Sequence, residues 1–220
     1  MESRLKAVIF DLDGVITDTA TYHYRAWKQL ADELGIYFDE KINERLKGID
    51  RMTSLEIILE RSPVQYTQEE KEALATKKND LYKQLIQTMT PADVLPGALA
   101  VLQALKQRGI LAGLASVSKN AFTVIDKLQI GQYFAYIADA AKITKGKPDP
   151  EIFLTVAANL GVAPQDCVGV EDAAAGIKAI KAAGMYGVGI GDPVMLKEAD
   201  EVIPSLEQFD LERLLARFAS

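Results

Sequence analysis

Short apolar runs alternating with amphipathic stretches set the outline of this chain. Ala7–Phe10 (AVIF) is a continuous apolar run, the pattern of a strand buried on both faces. Similar runs recur at 110–115, 134–138, 167–170 and 186–190, with a weaker one at 201–203. Between them the spacing predicts helices at about 97–108, 121–129, 150–160, 173–183 and 207–218. Strands that alternate with helices in this way predict a parallel sheet covered on both faces and joined by right-handed crossovers.

Residues 19–90 break the alternation and contain no strand pattern, which marks an all-helical insertion. Helices are expected at 20–35, 40–47 and 51–61, and from Thr67 to about Thr88. His23, Trp27, Leu30 and Leu34 share one stripe of the first, and Gly35 is placed to end it. Thr67-Gln68-Glu69-Glu70 is a capping-box signature for the last. Leu74, Lys78, Leu81 and Leu85 share a stripe there, so Lys78 is a cation on an inward face, either a snorkelling stem or an anion ligand.

Composition narrows the class. With 220 residues, 49% of them apolar, the chain can bury a full core as one large domain or a domain with an insertion. The net charge of −6 and the lack of a basic stripe argue against nucleic acid and anionic membranes as partners; Lys142, Lys145 and Lys147 are too few to change that. Cys167, the one cysteine, lies in the apolar run CVGV and reads as a buried, inert thiol. No run is long enough to span a bilayer and residues 1–10 lack a signal-peptide pattern, so a cytoplasmic protein is expected. Nothing in the sequence demands an assembly, and a monomer is expected.

Candidate chemistry gathers at strand ends, where ligands bind in open α/β sheets. Asp11 and Asp13 follow the first strand and point the same way if extended geometry persists. Such a pair can hold a divalent cation and divide the labour, one carboxylate attacking and the other moving a proton. The local alternative is an Asp-Gly hairpin turn with Asp11 as a cap. The later ligands of an EF-hand loop are missing, and no GxGxxG follows the first strand.

Three further polar groups occupy other strand ends: Ser116-Val117-Ser118-Lys119-Asn120, Lys147, and Glu171-Asp172. Each also has a local reading, as a helix cap, a solvated loop charge, or acids at a helix N-terminus. Together they suit a phosphate ester, with Ser116 and helix-start N–H groups holding phosphate oxygens and Lys147 neutralising them. A carboxylate attacking a phosphate dianion meets repulsion of about 4 kcal/mol per charge pair at roughly 4 Å and an effective dielectric near 20. Mg²⁺ held by Asp11, Asp172 and a backbone carbonyl near Asp13 would offset it.

With DLDGVITDT, the Ser116 site, Lys147 and Glu171-Asp172 in this order, the chain resembles the haloacid dehalogenase superfamily of phosphotransferases over essentially its full length. Within that superfamily, DTATYHYRAW with His23 and Trp27, ERLKGIDR with Arg51 followed by Ser54, KKND with Lys78 and Asn79, and SVSKN are similar to the sugar-phosphate mutases. The resemblance implies a Rossmann-like catalytic core of residues 1–18 and 91–220, flanked by helices, and an inserted helical cap of residues 19–90. Asp11 would be the nucleophile that becomes an aspartyl phosphate, and Asp13 the general acid and base. Asp11, the Asp13 carbonyl and Asp172 would bind Mg²⁺, with Glu171 a ligand or a neighbour of one. Ser116 and Lys147 would hold the reacting phosphoryl group, and Arg51, Ser118 and Asn120 a distal phosphate. His23, Trp27, Leu46, Lys47, Gly48, Ser54, Lys78 and Asn79 would line the sugar side or the hinge. Val117 and Lys119 accompany the binding serines; Val117 stands where a smaller residue is familiar.

The implied reaction interconverts β-D-glucose 1-phosphate and D-glucose 6-phosphate through enzyme-bound β-D-glucose 1,6-bisphosphate. Two alternatives stand beside it: a Mg-dependent sugar-phosphate phosphatase on the same scaffold, and a noncatalytic phosphate-ligand sensor. Intact Asp11, Asp13, Lys147 and Asp172 argue against the sensor, because sensing needs neither a nucleophile nor a proton carrier.

Overall fold

The computed structural model describes residues 4–46 and 49–219; Lys47 and Gly48, both expected at the site, lie outside the described residues. Six parallel strands form one sheet: β1 (Ala7–Phe10), β2 (Leu111–Leu114), β3 (Tyr136–Ile137), β4 (Cys167–Glu171), β5 (Tyr186–Ile190) and β6 (Glu201–Ile203). Their order is β3-β2-β1-β4-β5-β6, so the order reverses between β1 and β4. In register, Ala7 pairs with Leu111 and Cys167, and Phe10 with Leu114 and Val170.

The apolar run of β1 is buried throughout because helices cover both faces. Ala7 and Ile9 pack against α7 (Glu151–Leu160) and α8 (Ala174–Ala182) through Ile152, Phe153, Val156 and Ile180. Val8 and Phe10 face the other way, onto α5 (Ala98–Gln107), α6 (Ala121–Leu128) and α9 (Leu211–Arg217). Each large side chain so buried contributes about 1.5–3 kcal/mol. This packing fixes the carboxyl ends of β1 and β4, where the acidic residues sit.

The inserted helices are α1 (Ala20–Glu33), α2 (Glu40–Asn43), α3 (Arg51–Leu59) and α4 (Gln68–Ile86). Their starts follow the sequence: Asp50 accepts from the N–H groups of Met52 and Thr53 ahead of α3, and Thr67 with Glu70 closes the capping box of α4. Trp27, Leu30, Phe38, Leu55, Ile58 and Ala75 form a core of their own. Ala26, Tyr82 and Ile86 join the sheet's core instead, so α1 and α4 reach from one core to the other. The two connecting segments run side by side, the Leu95 N–H donating to the Ile16 carbonyl (2.9 Å) and the Thr17 hydroxyl to the Asp93 carbonyl (2.6 Å).

Four local expectations change. β3 is shorter than 134–138, and the expected 40–47 helix ends as a 3-10 turn at Glu44–Leu46. The 207–218 helix is divided into a 3-10 turn, Leu206–Gln208, and α9, which Asp210 caps by accepting the Arg213 N–H. The inward face of α4 centres on Ala75, Lys78, Asn79, Tyr82 and Ile86, while Leu74, Leu81 and Leu85 lie at its margin. Hydropathy alone misplaced that face because Lys78 and Asn79 turn toward a cavity. Among the described residues no helix is long and apolar enough to cross a membrane.

Candidate active site

The site opens at the reversal in strand order, as the geometry of open α/β sheets requires. The Asp11 N–H donates to the Val170 carbonyl (2.9 Å), so the first carboxylate is pinned beside β4 just past β1. Extended geometry is lost by Gly14, which has a φ of +74° and whose N–H donates to the Thr17 carbonyl (2.8 Å). Asp11 and Asp13 nevertheless reach the same cavity, of about 1080 Å³. A side chain at Gly14 would collide with the Asp172 carboxylate, so the glycine lets the two acidic loops meet.

Lys147 is fully buried and its ammonium donates to Asp11 Oδ1 and Glu171 Oε2, both at 2.7 Å. Burial alone would lower its pKa, but the Asp11 and Glu171 carboxylates outweigh that and hold it above the ordinary lysine value. Glu171 Oε1 accepts from the N–H groups of Asp172 and Ala173, both at 3.1 Å. Both Glu171 oxygens are therefore engaged in fixing Lys147 and the start of the Asp172 loop. Burial first, and the Asp11 charge second, raise Glu171 and push Asp172 up to about 7. Ser116 is buried and its hydroxyl accepts the Ser118 N–H (3.1 Å).

Asp11, Glu171 and Asp172 bring carboxylate oxygens within 4.8 Å of one another. Two buried acids, Asp11 and Glu171, and the half-buried Asp172 gather around one ammonium, and their all-oxygen donor set suits a hard divalent cation such as Mg²⁺. The residues fit that ion.

Asp13 is pushed up to about 8 by burial and then by the Asp11 charge, with Lys147 and Lys78 opposing. Its Oδ1 is buried without a hydrogen-bond partner among the described residues. That shift favours the carboxylic-acid form, which is suited to donate a proton to an oxygen in the cavity.

The helices supply the opposite wall. Lys78 is buried, lies 4.5 Å over the Trp27 ring and is hydrogen-bonded to His23 Nδ1 (2.7 Å), while His23 stacks on Tyr82 at 4.0 Å. Burial, then the Lys78 and Arg51 charges, hold the His23 imidazole well below its ordinary value. Burial and Arg51 push Lys78 down to about 7. Asn79 Oδ1 accepts from Arg51 Nη2 and from Asn120 Nδ2, both at 2.8 Å.

The cavity wall brings together Asp11, Asp13, His23, Trp27, Leu46, Arg51, Ser54, Lys78, Asn79, Val117, Ser118, Lys119, Asn120 and Asp172. Ser116, Lys147 and Glu171 are buried behind it. Asn120 precedes α6 without capping it; its side chain turns to Asn79 instead. Lys147 is no solvated loop charge. Cys167 is buried as expected, and burial pushes its thiol up to about 12. The sequence reading missed Tyr82, whose place one turn after Lys78 on α4 was the available signal.

Residues 5–184 match the haloacid dehalogenase-like hydrolase family. The chain is 50% identical to a β-phosphoglucomutase of Bacillus subtilis, over 96% of this chain and 94% of the relative. It is 30% identical to a phosphorylated carbohydrates phosphatase of Thermotoga maritima, over 90% of this chain and 93% of the relative. The crystal structure of a β-phosphoglucomutase from Clostridium difficile superimposes with a TM-score of 0.94 at 48% identity, covering 97% of each chain.

Proposed function

The chain belongs to the haloacid dehalogenase-like hydrolase family, and on that premise we propose that it is an isomerase interconverting β-D-glucose 1-phosphate and D-glucose 6-phosphate. One observation carries the reading beyond the family: a single cavity holds two sets of phosphate-ready donors. One lies at Asp11, backed by Lys147 behind the cavity wall, and the other is Arg51 with Asn120 in the wall itself. A phosphatase needs the first set alone. A mutase that passes through β-D-glucose 1,6-bisphosphate needs both.

In this proposal residues 1–18 and 91–220 form the catalytic core and residues 19–90 a cap over it. Lys147 and Ser116 fix the reacting phosphoryl group, and Asp11 takes it by in-line attack. Asp13, whose raised pKa favours its acid form, donates a proton to the departing sugar oxygen; in the opposite half-reaction it removes the proton of the sugar hydroxyl that takes the phosphoryl group from Asp11, and the bisphosphate so formed presents its other end before the next transfer to Asp11. Arg51, Ser118 and Asn120 hold the distal phosphate during each transfer. His23, Trp27, Leu46, Ser54 and Lys78 line the sugar side, and the cap excludes water that would hydrolyse the phosphoenzyme. Asp11, Asp172 and the Asp13 carbonyl would hold Mg²⁺, which would supply the positive charge a carboxylate needs to approach a phosphate dianion. Glu171 acts on Lys147 and the Asp172 loop.

The test follows two products at once. Protein with Mg²⁺, β-D-glucose 1-phosphate and trace β-D-glucose 1,6-bisphosphate is expected to yield glucose 6-phosphate far faster than inorganic phosphate. Rapid phosphate release with negligible isomerisation would replace this reading with the phosphatase.

A further inference from the structure

Lys147 is delivered into the core from an irregular surface segment. Residues 143–150 form neither helix nor strand, and all of them except Lys147 are exposed or half-buried. β3 ends at Ile137 and α7 begins at Glu151, so no ladder or helical turn fixes the backbone that carries the lysine. Local bonds fix it instead, and they converge on Glu151. Its Oε1 accepts the Thr144 N–H (2.8 Å), and its Oε2 accepts the Lys145 N–H (2.7 Å) and the Thr144 hydroxyl (2.8 Å). These donors, the Thr144 N–H first, hold the carboxyl below its ordinary value, so the acceptor is an anion and the bonds are charge-assisted. On the other side of Lys147, the Glu151 N–H donates to Asp149 Oδ1 (3.0 Å) and the Asp149 N–H to the Gly146 carbonyl (3.0 Å). The next two residues of α7, Ile152 and Phe153, are buried in the core, and the Lys147 ammonium lies 5.3 Å from the Phe153 ring centroid. One anchored helix end therefore grips the segment twice.

We propose that Glu151 is a positioning residue for Lys147: its carboxylate fixes the backbone just ahead of the lysine and so sets where the ammonium meets Asp11 and Glu171. The Lys147 side chain is fully enclosed and its ammonium already spans two carboxylates at 2.7 Å each, so a shift of its backbone passes directly into those contacts. Any one of the Glu151 bonds is weak at a half-exposed site. Three on one anion, from adjacent residues, give way only together. Glu151 also occupies the first turn of α7, where an acid favours the helix dipole. That effect uses the charge alone, whereas positioning uses each oxygen as an acceptor. The positioning stands on the bonds themselves. That its loss slows phosphoryl transfer rests on the function proposed above.

Nitrogen NMR of the Lys147 ammonium in the full chain tests the placement, and two rate measurements test its consequence. In Glu151→Ala the ammonium signal is expected to shift and broaden as the contacts to Asp11 and Glu171 loosen. Glu151→Gln keeps the length and one acceptor oxygen but not the charge, so its signal should lie between those of Glu151→Ala and the native chain. It supplies the same comparison if the alanine variant fails to fold. Sugar-phosphate turnover and phosphoenzyme formation from a small phosphoryl donor should fall together in Glu151→Ala, by as much as about a hundredfold, because Lys147 serves the phosphoryl group common to both. Glu151→Gln should recover part of both rates. If Glu151 serves only the helix dipole, both variants will lower the urea unfolding midpoint alike and leave the ammonium signal unchanged, and that result overturns the proposal. An altered signal with native rates from both donors would overturn the link to catalysis. The signal is read without substrate, so its failure is distinct from that of the mutase reading, which the two-product assay decides on the native chain.

Discussion

The cavity's two sides are built on opposite principles. On the core side, charge meets charge in a dry interior: the Lys147 ammonium sits between Asp11 and Glu171, and the participating elements are locked by the register of β1 and β4. On the cap side, cations rest against neutral partners, Arg51 on the Asn79 amide and Lys78 on the His23 imidazole and the Trp27 face. The core side holds its ammonium on two carboxylates of its own. Among the described residues neither Arg51 nor Lys78 forms an ion pair with a carboxylate, and in the proposed reaction they take a substrate's anionic and hydroxyl oxygens. In the proposed reaction bond-making falls to the core side and recognition to the cap side.

The strongest way to break that contrast is Lys147→Met, which leaves two buried carboxylates facing each other. A loss of about 3–5 kcal/mol in urea unfolding is expected, together with loss of turnover. Glu171 already sits above its ordinary pKa, so the folded variant binds more protons than the unfolded chain above the ordinary carboxylate range, and its deficit should shrink as pH is lowered. A pH-independent deficit of under about 1 kcal/mol would mean the charges are not coupled as the structure implies.

Arg51→Ala probes the recognition side. Sugar-phosphate turnover is expected to fall by about ten- to hundredfold, the range for one charge-assisted hydrogen bond, and to fall more than phosphoenzyme formation from a small phosphoryl donor. Equal losses in both assays would remove Arg51 from the distal phosphate.

The smallest effect sharpens the contrast through pH. Because Lys78 is lowered from 10.5 to about 7, the folded chain binds fewer protons at that position than the unfolded chain between those values. Stability from Lys78 therefore rises with pH across that window, being lowest where the buried ammonium is fully charged. Between about pH 7 and about pH 9 the unfolding midpoint should climb relative to that of Lys78→Met. Parallel curves would show that Lys78 is not desolvated in the unliganded protein.

Local chemistry was legible before any coordinates. The AVIF run, the alternation of strands and helices, the Thr67 capping box and the acidic residues after the first strand depend on neighbours a few residues away, and all are found where the sequence puts them. The order of the rim groups pointed to a phosphoryl site because each follows a strand end. Tertiary packing alone decided how those groups meet. Lys147 reaches Asp11 across 136 positions, Asn79 gathers donors 28 and 41 positions away, and Ser116 and Glu171 lie behind the wall rather than on it. Hydropathy also could not say that the polar Lys78 and Asn79 belong to the inward face of α4. An apolar core and a polar cavity bury side chains alike, and only the path of the surrounding chain distinguishes them.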